Sequence, residues 1–165
     1  MTVLQGPLAD RDSWSAVGHC PIEKTMGLVG TKSAMLIMRE AYYGTTRFDD
    51  FARRVGITKA ATSARLGELV EAGLLAKQPY REPGQRSRDE YVLTQDGTAF
   101  MPVVWAMFEW GRSHFGDTRL RLSHLGCGAE ATVEVRCADG HDVPPDELAV
   151  RLVRRAGRGT SSPAP

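Results

Sequence analysis

The chain has 165 residues, of which 42% are hydrophobic and 25% are charged, and its formal net charge is +1. These values are ordinary for a globular protein, and the length predicts one domain with appendages. No apolar run approaches the roughly 20 residues needed to cross a bilayer, and the N-terminus lacks the basic-then-apolar pattern of a secretory signal. We therefore expect a cytoplasmic protein with no membrane partner.

The first helices are predicted to follow an irregular N-terminal stretch. Residues 1–19 contain a Gly-Pro pair and scattered charge, and we interpret them as a flexible arm. A short helix is predicted over 23–29, just after Cys20 and Pro21, because proline is favourable at the first helical position. A second helix, capped by Thr31, is apolar on nearly all sides, which is typical of a helix at the centre of a core.

The stretch 47–73 predicts two helices joined by a tight turn. Gly56 tolerates the positive φ at which a helix ends, and Thr58 is a good N-cap for the next helix. The apolar positions of the first helix share one face: Phe48, Phe51, Ala52 and Val55. The buried positions predicted for the second are Thr62, Leu66, Leu69 and Val70, and the outward ones are Lys59, Ala60, Ser63, Ala64 and Gly67. Such a small outward face suits the recognition helix of a helix-turn-helix in a DNA major groove, although helix packing alone is an alternative.

Two predicted strands follow at once, over 74–82 and 90–94. The polar loop between them contains Arg86 and Arg88. A helix-turn-helix followed by a β-hairpin with a basic tip indicates a winged helix, whose arginines reach phosphates or the minor groove. Residues 57–88 include six basic side chains and three acidic ones. This local excess of positive charge is not visible in the net charge of the whole chain.

Several short motifs follow one another over roughly residues 20–115: Cys20-Pro21-Ile22-Glu23, Leu36-Ile37-Met38-Arg39-Glu40, Arg47-Phe48, Arg65-Leu66, Leu69-Val70-Glu71-Ala72-Gly73-Leu74, Tyr91-Val92-Leu93-Thr94 with Gly97, and Glu109-Trp110-Gly111. In this order they resemble the HxlR-type family of bacterial winged-helix transcriptional regulators. The family usually has Gly-Gly-Lys-Trp where this chain has Gly30-Thr31-Lys32-Ser33, and an apolar residue at Thr62. The resemblance implies a sequence-specific regulator that binds double-stranded DNA. The sequence contains no recognisable set of a nucleophile, a base and an orienting group, so we do not expect an enzyme.

The predicted DNA contacts lie on the second helix of the hairpin, in the wing and at the start of the central helix. Lys59, Ala60 and Ser63 are expected at base edges, and Arg65 is expected to hold the helix through a phosphate or an internal ion pair. The full predicted set is Lys32, Thr58, Lys59, Ala60, Ser63, Arg65, Arg86 and Arg88.

A long helix is predicted over 95–115, with Thr94 as its N-cap and with interruptions at Gly97 and Pro102. Apolar residues cover too much of its circumference for one packing partner, so a second subunit is expected against it. The resemblance implies the same, a homodimer built from the first and last helices on an inverted-repeat operator, and we expect a repressor. The predicted interface residues are Ile22, Met26, Val103, Met107 and Trp110.

Two kinds of effector are considered. The thiol of Cys20 lies at a predicted helix N-terminus, which favours the thiolate, and some members of the resembling family sense oxidants or electrophiles with a cysteine there. A plain buried or capping cysteine is the alternative. A small aromatic ligand held by Trp105, Phe108 and Trp110 is the second kind, with ordinary packing of these rings as its alternative.

The C-terminal extension, 117–153, is predicted to contain a strand over 132–137 with 120–122 as its partner. Its possible zinc ligands have the spacing H-x2-C-x9-C-x3-H: His124, Cys127, Cys137 and His141. We prefer a degenerate ribbon that binds no metal, because Gly140 stands where a second cysteine is expected, and so no cofactor is required. A protein-interaction module with a zinc-binding tail is the alternative function.

The predicted fold class is α+β and mainly α, a winged helix-turn-helix with an added C-terminal dimerisation helix and a small β-containing extension. Its predicted parts are a flexible arm over 1–19, an HxlR-type DNA-binding and dimerisation domain over 20–116, the extension over 117–153 and a disordered tail over 154–165.

Overall fold

The computed structural model describes residues 1–81, 83–84, 86–116 and 118–153. The chain divides into a larger unit, 17–133, and a smaller unit that joins residues 1–16 to the stretch from Glu134 onward. The elements in chain order are β1 (Val3–Leu4), a 3₁₀ helix (Gly6–Ala9), α1 (Pro21–Val29), α2 (Lys32–Tyr42), α3 (Phe48–Val55), α4 (Lys59–Glu71), β2 (Leu75–Tyr80), β3 (Arg88–Leu93), α5 (Gln95–Ala99), α6 (Met101–Phe115) and β4 (Ala149–Val150).

Helix α2 is the central helix of the larger unit, as its apolar sequence predicts. It packs against α1, α3, α4, α6 and β3. Ile37 and Met38 on α2 are fully buried, as are Phe51 on α3 and Leu66 on α4. The complete core cluster is Val29, Ile37, Met38, Ala41, Phe51, Leu66, Leu69, Leu75 and Val104. Burial of these side chains is the main driving force for this arrangement of helices.

The predicted N-cap of α2 and the predicted end of α3 are confirmed. Thr31 caps α2 by accepting a hydrogen bond from the Ala34 amide at 3.2 Å, and Gly56 ends α3 with a φ of 73°. Helix α1 begins at Pro21, two residues before the predicted start, because proline occupies its first turn.

Thr62, the polar residue that departs from the family pattern, is fully buried in the core. Its hydroxyl donates to the carbonyl oxygen of Thr58, four residues earlier on the same helix, at 2.9 Å. Because the buried hydroxyl has this acceptor, the core tolerates it without an unsatisfied polar group.

The wing is the antiparallel hairpin of β2 and β3, in which Leu75 lies opposite Leu93 and Tyr80 lies opposite Arg88. The second strand therefore starts two residues before its predicted position, and the expectation that Arg88 lies in the loop is wrong. The ladder continues to the Tyr80–Arg88 pair, so Arg88 is fixed on a strand. The Tyr91 amide also donates to Thr46 at 2.8 Å, which joins the segment before α3 to the hairpin.

The long helix predicted over 95–115 is two helices that meet at Phe100. Thr94 caps α5 as predicted, accepting from the Gly97 amide at 2.9 Å. Pro102 lies in the first turn of α6, where its missing N–H leaves no bond unmade, so it starts a helix and does not kink one.

The strand predicted over 132–137 is wrong: within 118–153 the one regular strand is β4. Glycine-containing turns split the segment into two local hairpins. In the larger unit the Ala131 amide donates to Leu122 at 2.9 Å, and in the smaller unit the Val143 amide donates to Val135 at 2.9 Å. Each hairpin closes on itself, so no long ladder forms.

The smaller unit gives the first sixteen residues a structure that the sequence analysis did not predict. Strand β1 pairs in parallel with β4, with Val3 opposite Ala149. Leu8 is buried, and the indole nitrogen of Trp14 donates to the Leu8 carbonyl at 3.0 Å. The predicted tail over 154–165 lies outside the described residues.

Candidate nucleic-acid interface

Apart from Lys59 at its N-terminal end, the outward face of α4 consists of small side chains, as predicted. Every residue of this face is exposed: Lys59, Ala60, Ser63, Ala64 and Gly67. Thr62, Leu66 and Leu69 on the opposite face are buried. Because no bulky side chain projects from this face beyond Lys59, its backbone can approach the floor of a groove closely.

The start of α4 is fixed by its cap. The Thr58 hydroxyl accepts a hydrogen bond from the Ala61 amide at 3.2 Å and is exposed. A hydroxyl that accepts one bond can still donate another, so capping is compatible with a contact from Thr58 to a phosphate oxygen.

Lys59, at the start of α4, forms an ion pair with a residue of α3. Its ammonium lies 2.7 Å from Oδ1 of Asp49, in the first turn of α3, and both side chains are largely exposed. The hydrogen bond and charge of Lys59 lower the pKa of the Asp49 carboxyl, and Arg88 adds a smaller effect in the same direction. No sequence signal indicated this pair, because it depends on the angle between the two helices.

Two more of the predicted cations lie outside the wing: Arg65 forms an ion pair within α4, and Lys32 lies near the turn of the helix-turn-helix. Arg65 forms an ion pair with Glu68 one turn later on α4, which is the internal pairing predicted as one of its two roles. Lys32 is exposed at the start of α2 and lines a shallow groove with Gly56 and Ile57 of the helix-turn-helix. Lys32 therefore lies on the same side of the larger unit as the turn.

The wing presents Arg86 and Arg88 as exposed side chains. Its loop end is held by Arg47, whose guanidinium lies 3.0 Å from the centroid of the Tyr80 ring and 3.8 Å from the Glu90 carboxylate. Among the described residues, Nη1 of Arg47 is buried without a hydrogen bond. Arg47 therefore attaches the hairpin to the start of α3 and is not placed for DNA contact.

A buried carboxylate joins α2 to α3, which the sequence reasoning missed. Glu40 is 7% exposed, and its Oε1 lies 2.7 Å from the guanidinium of Arg39. Its Oε2 accepts from the Thr45 hydroxyl at 3.4 Å, and Arg54 donates to the same hydroxyl at 2.9 Å. The network holds the helix that presents the turn against the central helix.

The five residues predicted at a dimer interface are exposed apolar side chains on α1 and α6. Their exposure ranges from 45% for Val103 to 73% for Ile22. A groove of about 400 Å³ lies between α1, α2 and α6, and Met26 and Met107 line it. Contiguous apolar surface of this kind is typical of an interaction site.

The three aromatic residues considered as a ligand pocket do not form one. Trp105 contacts Tyr42, Tyr43 and Phe108, with ring centroids 5.8 to 6.4 Å apart. Trp110 instead stacks on His114 at 4.5 Å. Trp105 and Phe108 line a small cavity of about 170 Å³ that Trp110 does not reach. Ring packing, the alternative interpretation, accounts for these contacts.

The three cysteines are free thiols. Cys20 is half-buried at the N-cap of α1, and its side chain makes no capping bond within the described part of the chain.

The four candidate zinc ligands are divided between the two units. Sγ of Cys127 lies 3.2 Å from Nδ1 of His124 in the larger unit, whereas Cys137 and His141 belong to a turn of the smaller unit. Across 1–81, 83–84, 86–116 and 118–153, no group of three or more His, Cys, Asp or Glu is placed to hold a metal ion. Nor does any helix in those ranges have the length and apolarity to cross a membrane.

Comparisons with known proteins agree with this geometry. Residues 28–119 match the HxlR-like helix-turn-helix family. HTH-type transcriptional regulators of Mycobacterium bovis and Mycobacterium tuberculosis are each 33% identical over 119 residues, which is 70% of this chain and 74% of the relative.

Two solved structures extend the likeness to the fold. PA1607, solved as a candidate transcription factor, superposes with a TM-score of 0.72 and 31% identity over 84% of this chain and 97% of its own. The redox regulator HypR in its reduced form gives a TM-score of 0.52 and 30% identity over 58% of this chain and 93% of its own.

The fold, the exposed face of α4 and these matches define a transcriptional regulator of the winged helix-turn-helix type and not an enzyme. More narrowly, the chain belongs to the HxlR-like helix-turn-helix family.

Proposed function

We propose that the protein is a repressor that binds double-stranded DNA as a homodimer at an inverted repeat. The observation that carries the proposal is the exposed small-residue face of α4 beside the exposed arginines of the wing. In this arrangement Lys59, Ala60 and Ser63 contact base edges in the major groove, where sequence is read.

The cations around α4 supply the contacts that do not depend on sequence. Lys32 at the turn and Arg86 and Arg88 in the wing are exposed and flank the recognition helix on the side of α2 and on the side of the hairpin. Phosphate contacts from such side chains fix the register of a protein on DNA and supply much of its affinity.

The homodimer is supported by the apolar surface of α1 and α6. In the proposed dimer a two-fold axis through this surface relates the two copies of α4, and dimers of helix-turn-helix proteins bind half-sites about one helical turn of DNA apart, roughly 34 Å. An inverted repeat is the DNA symmetry that matches such a dimer. A dimer that covers a promoter sequence excludes the polymerase from it, which is why repression is the proposed outcome.

The DNA-binding proposal is tested by selecting duplexes from a random library with the wild-type protein and measuring affinity by fluorescence anisotropy across a salt series. Arg86→Ala is expected to weaken binding to all sequences and to reduce the slope of log K against log salt by about one. Arg119→Ala, at an exposed arginine after α6 with no proposed contact, is the matched control. A slope that Arg86→Ala leaves unchanged removes the wing from the proposal. Absence of any salt-dependent affinity in the wild type would instead favour the protein-interaction module.

The dimer is tested by light scattering after size-exclusion chromatography. Met107→Glu places a charge on the apolar surface of α6 and is expected to convert dimer to monomer, because a buried unpaired carboxylate is strongly unfavourable. Gln95→Glu adds the same charge at the exposed start of α5 and is expected to leave the dimer intact. Identical masses for the two variants would contradict the proposed interface.

Thiol oxidation at Cys20 is the proposed signal that releases the DNA. Cys20 lies at the N-terminus of α1, beside the exposed Ile22 and Met26 of the proposed interface, so oxidation there would alter the dimer. HypR, a relative by structure, is a redox regulator solved in reduced and oxidised forms. Diamide is reduced as it joins two thiols in a disulfide, here the Cys20 thiols of the two subunits. It should release DNA from the wild type and from Cys127→Ser but not from Cys20→Ser. Indifference of the wild type to diamide would exclude the switch and direct the search to small ligands at the groove between α1, α2 and α6.

A further inference from the structure

One acidic side chain lies among the cations of the candidate interface. The carboxylate of Asp49 is 2.7 Å from the ammonium of Lys59 and is also within electrostatic reach of Arg88. Lys59 begins the recognition helix and Arg88 begins the second strand of the wing. Asp49 therefore connects the two elements that the proposed function brings to DNA.

The neighbouring acidic residue has a different partner. Asp50 follows Asp49 on α3 but forms its ion pair with Arg53 on the same helix, at 2.5 Å. The two aspartates share the first turn of α3 and carry the same charge. Only Asp49 pairs with a residue that is proposed to contact DNA.

The pairing changes what Lys59 can do. An ammonium has three donors, and Asp49 occupies one of them, which leaves two for acceptors on a guanine edge. The carboxylate also repels any phosphate that approaches Lys59 from the side of α3. Two hydrogen bonds from Lys59 to a base edge compensate for the presence of the Asp49 carboxylate. A single contact from Lys59 to a phosphate does not, because Asp49 repels the phosphate.

We propose that Asp49 is a specificity-determining residue that positions Lys59 for base edges and withholds it from phosphates at non-cognate sites. The inference rests on the proposed DNA binding and adds to it the residue that separates cognate from non-cognate sequence. Asp49 acts through Lys59, and no contact of its own with DNA is required.

Asp49→Asn tests the proposal with two labelled duplexes of equal length, one selected by the wild-type protein and one with the selected bases scrambled. Asp49→Asn should bind the scrambled duplex more tightly, with a salt slope steeper by about one phosphate contact. Between about 50 and 200 mM salt its affinity for that duplex should then fall by about threefold more than that of the wild type. The ratio of selected to scrambled affinity should decrease.

Asp50→Asn is the matched control, because it removes the same charge from the same turn of α3. Equal changes in the two variants would show an effect of net charge alone, and an unchanged slope and ratio in Asp49→Asn would show a purely structural role. Either result overturns the proposal. In a Lys59→Ala background, Asp49→Asn should no longer steepen the slope. If the wild type selects no sequence and binds neither duplex, the proposed function fails, and this inference fails with it.

Discussion

Gly97 occupies a position where no side chain fits, and its replacement by alanine gives a sharp test of the fold. A Cβ at this residue would clash with the carbonyl oxygen of Leu74 and lie 3.0 Å from its carbon and 3.2 Å from Cδ2 of Leu93. Gly97 itself accepts a hydrogen bond from the Tyr42 hydroxyl at 2.6 Å. Helix α5 is therefore in direct backbone contact with the base of the wing.

The loss of stability expected for Gly97→Ala depends on whether the clashing atom, the carbonyl oxygen of Leu74, can move away. Overpacking typically costs about 1–3 kcal/mol, the smaller values applying where a flexible side chain can yield. Here the obstacle is a backbone carbonyl that also accepts from the Thr94 amide at 3.2 Å, so it cannot withdraw without breaking that bond. We expect Gly97→Ala to lower the free energy of unfolding by about 3 kcal/mol, at the upper end of this range, and the Tm by about 6–12 °C.

Urea and thermal unfolding followed by circular dichroism measure this loss. Gly67→Ala on α4 is the matched control, because among the described residues no atom lies within 4 Å of its added Cβ. Alanine is favoured over glycine inside a helix by roughly 0.5–1 kcal/mol, so the control should unfold at a higher urea concentration. A free energy of unfolding for Gly97→Ala within about 1 kcal/mol of the wild type would refute the argued close contact.

Two further predictions concern buried polar groups. Glu40→Gln should lower the free energy of unfolding by about 1.5–3 kcal/mol, because buried hydrogen bonds to a charged carboxylate are lost. Glu68→Gln, whose ion pair is at the surface, should change it by less than about 1 kcal/mol, and equal effects would contradict the buried network. Burial raises the pKa of Tyr42 to about 12, so the neutral phenol is favoured in the folded protein and its contribution to stability is lost as the pH rises through 12. Alkaline titration of tyrosinate absorbance should show a component near pH 12 that Tyr42→Phe lacks, and its persistence in that variant would assign it elsewhere.

The helix-turn-helix could be predicted from the sequence because its signals are local. The apolar spacing in α3, the glycine at position 56 and the cap at Thr58 each act within a few residues, and the structure has each of them in place. The small outward face of α4 follows from the same periodicity. Local agreement of this kind gave the fold class and the candidate recognition surface.

The parts that could not be predicted depend on contacts between distant residues. The pairing of Val3 with Ala149 involves two-residue strands, which are too short to show a periodic pattern. The Asp49–Lys59 ion pair requires the angle between two helices, and no residue spacing encodes that angle. The start of β3 at Arg88 follows from ladder register and not from β propensity, since the loop residues before it are equally polar.

The stacking of Arg47 on Tyr80 has an entropic consequence for recognition. It fixes the loop end of the hairpin to the start of α3, and Arg88 is paired across the ladder from the same tyrosine. The backbone at Arg88 is thus already ordered in the free protein, so a phosphate contact there costs mainly side-chain freedom. Arg86 lies outside the ladder, so its backbone lacks the strand pairing that holds Arg88. If the proposed wing contacts form, Arg88 is the wing arginine that would orient the protein on its operator, because strand pairing already fixes its backbone.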